Sequence, residues 1–148
     1  MVEVAFYHLT RKPLERALPE ILEKVLERGM RAVVLAGSEE RVRGLDAHLW
    51  SYDKASFLPH GAAGDGHVER QPIWLTATPE NPNGANVLVL VDGQDVADKA
   101  DYARCLDMFN GLDDEAVAAA RDRWKAARAA GHQCTYWRQG ERGWERGG

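Results

Sequence analysis

The hydrophobic and polar positions follow two different periods along the chain, which predicts strands that alternate with helices. Short apolar runs rich in β-branched and aromatic residues indicate strands, and apolar residues spaced by three and four indicate helices. The predicted strands are residues 2–9, 31–36, 72–77, 86–91, 105–109 and 132–137. The predicted helices are residues 14–28, 38–50, 98–103 and 111–130.

This alternation predicts an α/β fold with three layers, in which helices cover both faces of a mostly parallel sheet. The nearly continuous apolar runs at 31–36 and 86–91 are typical of strands that are buried on both faces. A chain of 148 residues is long enough to bury its own core, so residues 1–148 are expected to form one domain. The last residues, beyond Trp144, are expected to fray.

Composition and charge narrow the class of function. The hydrophobic content of 45% and charged content of 28% are those of an ordinary globular protein. A formal charge of -4 argues against general nucleic-acid binding, and it disfavours direct DNA binding through a basic helix. Cys105 and Cys134 lack a C-x-x-C pattern and are interpreted as reduced core residues of a cytosolic protein, with metal binding as the alternative. Because no apolar run approaches the length of a membrane span, we expect a cytoplasmic protein without membrane contact.

A long glycine-rich loop follows the second predicted helix and offers one candidate for chemistry. Asp65 and His67, with His60 nearby, could serve in acid–base or metal chemistry. Loop histidines are more often solvated or loop-packing groups. The helix start at Ser38 could hold an anion, but no phosphate-binding glycine motif precedes it, so no cofactor is expected. A small α/β hydrolase or nucleotide-dependent enzyme that uses the Asp65–His67 loop remains the alternative function.

The last predicted helix carries a stripe of positive charge. Arg121, Lys125 and Arg128 lie at i, i+4 and i+7 with Trp124 beside them, and Arg123 adds another cation. The stripe is either a solvated face near a helix C-terminus, where the dipole favours cations, or a landing site for an acidic peptide. In the second case the cations would pair with the peptide's carboxylates, and an apolar notch would take a hydrophobic side chain.

A second candidate binding surface lies at the junction of the second helix and the long loop. Trp50, Phe57, Leu58 and Pro59 are either an aromatic docking patch for a protein partner or residues that pack the loop onto the sheet. Periodicity does not separate these two interpretations.

Several segments, taken in order, resemble one known family over nearly the whole chain. The segments are FYHL (6–9), LEKVLERGMRAVVL (22–35), LDAHLW (45–50), SFLPHG (56–61), QPIWLT (71–76), PNGANVLVLVDG (82–93), ARDRWKAARAAGH (120–132) and YW (136–137). Together they resemble the chi subunit of bacterial DNA polymerase III. The resemblance implies an α/β accessory protein of the clamp-loader assembly, without catalytic, cofactor-binding or metal-binding residues of its own.

The resemblance also implies two protein partners. One is the acidic, phenylalanine-ending C-terminal tail of single-stranded DNA-binding protein, through which the chain would reach DNA only indirectly. The family's tail-binding helix is similar to residues 121–125, which implies that Arg121 and Lys125 are the cations and Trp124 is a pocket wall. Arg128 continues the same stripe. Relatives can have Tyr at the position of Trp124, so the pocket shape is expected to differ.

The second implied partner is the psi subunit of the clamp loader. In the family, psi docks on a surface similar to Trp50, Phe57, Pro59 and His60. The alternative is that these residues persist for packing.

Overall fold

The computed structural model describes residues 2–51, 60–62, 71–96, 99, 102–140 and 143–147, without the side chains of residues 50 and 51. These residues contain eight strands and three helices. The strands are β1 (Glu3–Leu9), β2 (Ala32–Leu35), β3 (Gly61–Ala62), β4 (Ile73–Thr76), β5 (Val87–Leu90), β6 (Arg104–Asn110), β7 (Gln133–Gly140) and β8 (Gly143–Gly147). The helices are α1 (Leu14–Glu27), α2 (Glu39–Ser51) and α3 (Asp114–Ala129).

One mostly parallel sheet organises the fold, with strand order β3-β4-β2-β5-β6-β1-β7-β8. All neighbouring pairs are parallel except β7 and β8, which are antiparallel. Helices α1 and α2 share a hydrophobic cluster on one face of the sheet, and α3 packs into a separate cluster on the other face. The predicted three-layer α/β fold is confirmed.

Helix α1 contacts α2 through a backbone carbonyl that a proline in α1 leaves without its usual helical partner. Leu18, Leu22 and other apolar residues at helical spacing are buried against the sheet. Pro19 lies inside the helix and has no backbone N–H, so the carbonyl of Glu15 loses its usual partner four residues later. His48 of α2 contacts that carbonyl with Nε2 at 2.5 Å. The proline therefore frees an acceptor that the neighbouring helix uses.

The chain end departs most from the sequence prediction. Strand β7 continues to Gly140, and the residues expected to be irregular or frayed form β8, in which residues 145–147 pair with β7. Trp144 packs edge-on against Tyr7, with ring centroids 4.9 Å apart, while Trp137 stacks beside Tyr7. Aromatic burial against β1 thus holds a segment whose glycines and charges predict a loose tail.

Two smaller predictions have different outcomes. Helix α3 begins at Asp114 and not at Gly111, because Asp113 is extended and caps the helix by accepting a hydrogen bond from the Glu115 backbone N–H at 3.0 Å. Half of the predicted short helix at 98–103 lies outside the described residues, and its described residues 99, 102 and 103 are not helical. Among the helices that the structure describes, none is long and apolar enough to cross a bilayer.

Candidate functional site

A pocket of about 320 Å³ opens between helix α3 and the neighbouring strands β1, β6 and β7 of the sheet. Its lining is mostly apolar and aromatic, with one cation on its rim. The lining residues are Phe6, His8, Phe109, Val117, Ala120, Arg121, Trp124, Tyr136 and Gly147. Concave apolar sites with a few polar groups are the usual form of a binding site.

Strand alternation and helical spacing together build the pocket walls. Because side chains of a strand alternate between the two faces, Phe6 and His8 both point toward α3. The ring of Phe6 meets Trp124 at 5.3 Å between centroids and at 64°, and His8 stacks on Phe109 at 5.0 Å. These edge-to-face and stacked contacts fix the rings, so the pocket is formed before any ligand arrives.

The predicted cationic stripe lies beside this pocket. The inward positions of α3 are Ala120, Trp124 and Ala127, and each of the next residues, Arg121, Lys125 and Arg128, is exposed. Within the described ranges none of these three cations forms a salt bridge. The guanidinium of Arg128 lies 6.0 Å from the centroid of the Trp124 ring. The structure brings all four predicted residues together, and their binding role stays a prediction.

Arg123 does not belong to this stripe, although the sequence counts it among the cations. Its Nε donates to Asp107 Oδ2 at 2.6 Å and its Nη2 to Oδ1 at 3.0 Å. Burial raises the pKa of the Asp107 carboxyl, and the Arg123 guanidinium opposes that rise. The two side chains are 3% and 12% exposed, so this fork-like pair is a structural tie between β6 and α3.

The polar end of the pocket is made by two residues that the sequence analysis did not single out. His8 Nδ1 contacts the Tyr136 hydroxyl, and His8 Nε2 lies 3.4 Å from the carbonyl oxygen of Gly111. A side chain at Gly111 would collide with the His8 ring. Burial raises the pKa of the Tyr136 phenol, against the opposing charges of Arg138 and Arg121. In the sequence, the alternation of Phe6 and His8 on β1 was the one indication that His8 lies at the polar end of the pocket.

The second predicted surface is described only in part. Phe57, Leu58 and Pro59 lie outside the described residues, and Trp50 belongs to α2 without a described side chain. His60 is 3% exposed, and its Nε2 lies 3.0 Å from Asp46 Oδ1. In the isolated chain His60 therefore packs against α2, and its role in binding a partner stays a prediction.

The junction of β2 and α2, where the sequence suggested an anion at Ser38, is filled by a side chain of the protein itself. The Gly37 N–H donates to Asp92 Oδ2 at 3.0 Å, and Arg41 Nε donates to the same carboxylate. Arg41 also pairs with Glu15 at 2.9 Å. The Asp92 carboxylate thus occupies the place at which a phosphate would meet these donors.

The structure describes only some of the remaining candidates for chemistry. Asp65 and His67 lie outside the described residues. In the part of the chain that is described, no group of three or more acidic, histidine or cysteine side chains could hold a metal ion. Cys105 is buried, which raises the pKa of its thiol to about 12. Cys134 is half-buried and not a core residue, because it lies on β7 near the end of the sheet.

Comparison with known proteins gives one consistent result. The model of a family described as "DNA polymerase III chi subunit, HolC" matches residues 1–135. A protein of Rickettsia prowazekii (strain Madrid E) named "Probable DNA polymerase III subunit chi" is 31% identical over 97 residues, which are 66% of this chain and 59% of that protein. The match thus spans about three fifths of that relative's length. The "DNA polymerase III subunit chi" of Escherichia coli (strain K12) is 28% identical over 121 residues, 80% of each chain.

Proposed function

This chain belongs to the DNA polymerase III chi subunit family, and on that premise we propose that it is an accessory subunit of the bacterial replicase. Its task is to link the clamp-loader complex to single-stranded DNA-binding protein in the cytoplasm. It does so by capturing the acidic C-terminal tail of that protein, and it reaches DNA only through it. In this role the chain supplies binding surfaces and no polymerase chemistry.

The observation that carries the proposal is an apolar pocket with exposed cations on one side. The pocket of about 320 Å³ is walled by Phe6 and Trp124, which suits a large hydrophobic side chain at the end of a peptide. Arg121, Lys125 and Arg128 are exposed beside it, and in the described part of the chain no carboxylate forms a salt bridge with them. An acidic segment that leads to a hydrophobic terminus matches both features.

The two parts of the site contribute differently to binding. The cations steer the acidic segment toward the pocket and mainly raise the association rate. The apolar anchor is removed from water in the pocket and mainly slows dissociation. Because exposed charges are screened over roughly 8–10 Å at physiological ionic strength, added salt weakens the complex.

We expect the double variant Arg121→Ala, Lys125→Ala to lose most of its affinity for a peptide that matches the tail of the host's single-stranded DNA-binding protein. Each lost cation costs about 1–3 kcal/mol where it makes a charge-assisted hydrogen bond. The pair therefore corresponds to a loss of at least about tenfold. Calorimetric titration of both proteins at two salt concentrations measures the effect.

A matched control removes the same charge from elsewhere. Arg16 and Arg43 are exposed on α1 and α2, so the variant Arg16→Ala, Arg43→Ala has the same net charge as the test variant. We expect it to bind like the unaltered protein. Equal loss in both variants would mean that only net charge matters, and binding that salt does not change would contradict the peptide-capture mechanism.

We further propose that the segment around Trp50, Phe57, Pro59 and His60 receives the psi subunit. The support is the family and the position of Trp50 at the end of α2, on the opposite face of the sheet from α3. Two partners could then bind at the same time, which a linking subunit requires.

The variant Phe57→Ala is expected to weaken co-purification with the host's psi protein and to leave tail-peptide affinity unchanged. Aromatic anchors at the centre of an interface typically cost about 2 kcal/mol or more when truncated. Analytical gel filtration of the mixed proteins measures the first effect and calorimetry the second. Full retention of the complex by the variant would exclude this surface as the psi site.

A further inference from the structure

A second groove lies on the other face of the sheet, between α1 and the C-terminal hairpin that β7 and β8 form. It encloses about 190 Å³. Ile21 and Val25 line it from α1, Trp137 and Trp144 line it from the hairpin, and Tyr7 of β1 lies between these two walls. Pockets that hold drug-sized molecules measure roughly 300–1,000 Å³, so this groove has room for a single large side chain.

The hairpin wall of the groove is aromatic and fixed. Trp137 is the register partner of Tyr7, and both rings pack against the hydrophobic cluster that contains α1. Trp137 stacks beside Tyr7 with ring centroids 6.4 Å apart, and Trp144 meets Tyr7 edge-on at 4.9 Å. Both tryptophans are half-buried, so each still presents part of its ring to the groove. The family match ends at residue 135, so this wall lies beyond the matched segment.

Three exposed cations surround the groove. Lys24 and Arg28 lie one turn apart on α1 and line it from that side. Arg146 is the register partner of Trp137, so the two side chains project from the same face of the hairpin. None of these cations forms a salt bridge within the described part of the chain. The dipole of α1 favours cations near its C-terminus, but it does not account for Arg146, which belongs to a strand.

The neighbouring carboxylates do not enter the groove. Glu3 is held by Arg104 at 3.2 Å, and Glu27 of α1 is not among the lining residues. Glu145 is the register partner of Arg138, so it projects from the opposite face of the hairpin. An apolar notch therefore lies within a local excess of positive charge, in a chain whose formal charge is -4.

We propose that this groove is a docking site for an internal acidic segment of a partner protein, in which carboxylates flank one large apolar side chain. The apolar side chain enters the notch against the two tryptophans. The carboxylates on one side of it pair with Lys24 and Arg28, and those on the other side pair with Arg146. Because the cations lie on both sides of the notch, the segment continues in both directions and needs no free chain end.

Single-stranded nucleic acid is the competing occupant, since it also binds surfaces that combine cations with aromatic rings. Bases stack on free ring faces, whereas the two tryptophan rings are half-buried and packed against Tyr7. The three cations surround one notch and do not form the continuous track that a phosphate backbone follows. Both features favour a peptide.

The test uses a synthetic peptide, acetylated and amidated at its ends, with one leucine between two runs of four aspartates. Calorimetric titration at low salt is expected to show one peptide bound to the unaltered protein. Arg146→Ala is expected to weaken this binding by about threefold, as is usual for one exposed ion pair. Arg138→Ala removes the same charge from the other face of the hairpin, and it is expected to bind like the unaltered protein.

The α1 side of the groove is tested separately. Lys24→Ala, Arg28→Ala is expected to weaken peptide binding by about tenfold, because two ion pairs are lost. Arg16→Ala, Arg43→Ala has the same net charge and is expected to leave binding unchanged. A peptide with serine in place of leucine is expected to bind the unaltered protein at least about tenfold more weakly, because no apolar side chain fills the notch.

The outcomes separate this groove from the pocket beside α3. Arg121→Ala, Lys125→Ala is expected to bind the blocked acidic peptide like the unaltered protein, and an equal loss there would place the peptide in the other pocket and overturn the proposal. Equal losses in Arg138→Ala and Arg146→Ala, or no binding by the unaltered protein, would also overturn it. Displacement of the peptide by single-stranded oligothymidylate would assign the groove to nucleic acid. Each of these results leaves the capture of the tail peptide by Arg121 and Lys125 to its own test.

Discussion

Replacement of Asp107 by alanine is expected to lower the free energy of unfolding by about 3–5 kcal/mol, the usual cost of breaking a buried ion pair from one side. Asp107 is 3% exposed and accepts two hydrogen bonds from Arg123. Without its partner, the largely buried Arg123 guanidinium keeps its charge but loses its acceptors. Chemical denaturation monitored by circular dichroism measures the change.

The sharper test is a variant that removes both charges. The double variant Asp107→Leu, Arg123→Met replaces the pair with apolar side chains, which is often neutral or stabilising for such pairs. We expect it to recover most of the stability that the single variant loses. If the double variant is as unstable as Asp107→Ala, the lost stability comes from the backbone or the packing of β6 and not from an uncompensated charge.

The second large effect is expected for Leu22→Ala, with a loss of about 2–5 kcal/mol from the transfer and cavity terms of a core deletion. Leu22 is 0% exposed and lies on the buried stripe of α1. Its neighbours belong to the cluster that joins α1 and α2 to the sheet, so the space it leaves cannot close without moving a helix.

Leu112 provides the matched control for this deletion. It has the same side chain but is 76% exposed in the turn before α3. Leu112→Ala is expected to change stability by no more than about 0.5 kcal/mol, as is usual for surface substitutions. Similar losses in the two variants, measured in the same denaturant, would show that burial does not decide the cost.

Most helices and strands were predictable from the sequence, because the residue patterns that indicate them lie within each element. The apolar spacing from Leu14 onward gave α1 to within one residue at its end, and β6 differs from the predicted strand by one residue at each end. Strands β3 and β8 were missed for physical reasons. Two residues, Gly61 and Ala62, carry no pattern, and β8 is stabilised by Tyr7, which lies far away in sequence.

The candidate site was predictable only where one helix carries it. Arg121, Trp124 and Lys125 follow from helical spacing, since all belong to α3. Arg123 does not join the exposed cations because it pairs with Asp107, which lies in an apolar strand 16 residues away. The contact of His8 with Tyr136 joins positions 128 residues apart, so no periodicity reveals it.

The same long separations govern how the chain can assemble as it is made. Strand β1 leaves the ribosome well before its two neighbours, which are residues 104–110 and 133–138. Sheets built from such distant pairings fold slowly, because closure of the intervening chain comes before the contacts that stabilise it. A nascent chain that stalls before residue 133 would carry β1 with one bare edge, and bare strand edges invite pairing with other chains. Rapid completion of synthesis therefore shortens the time during which the bare edge of β1 can pair with other chains.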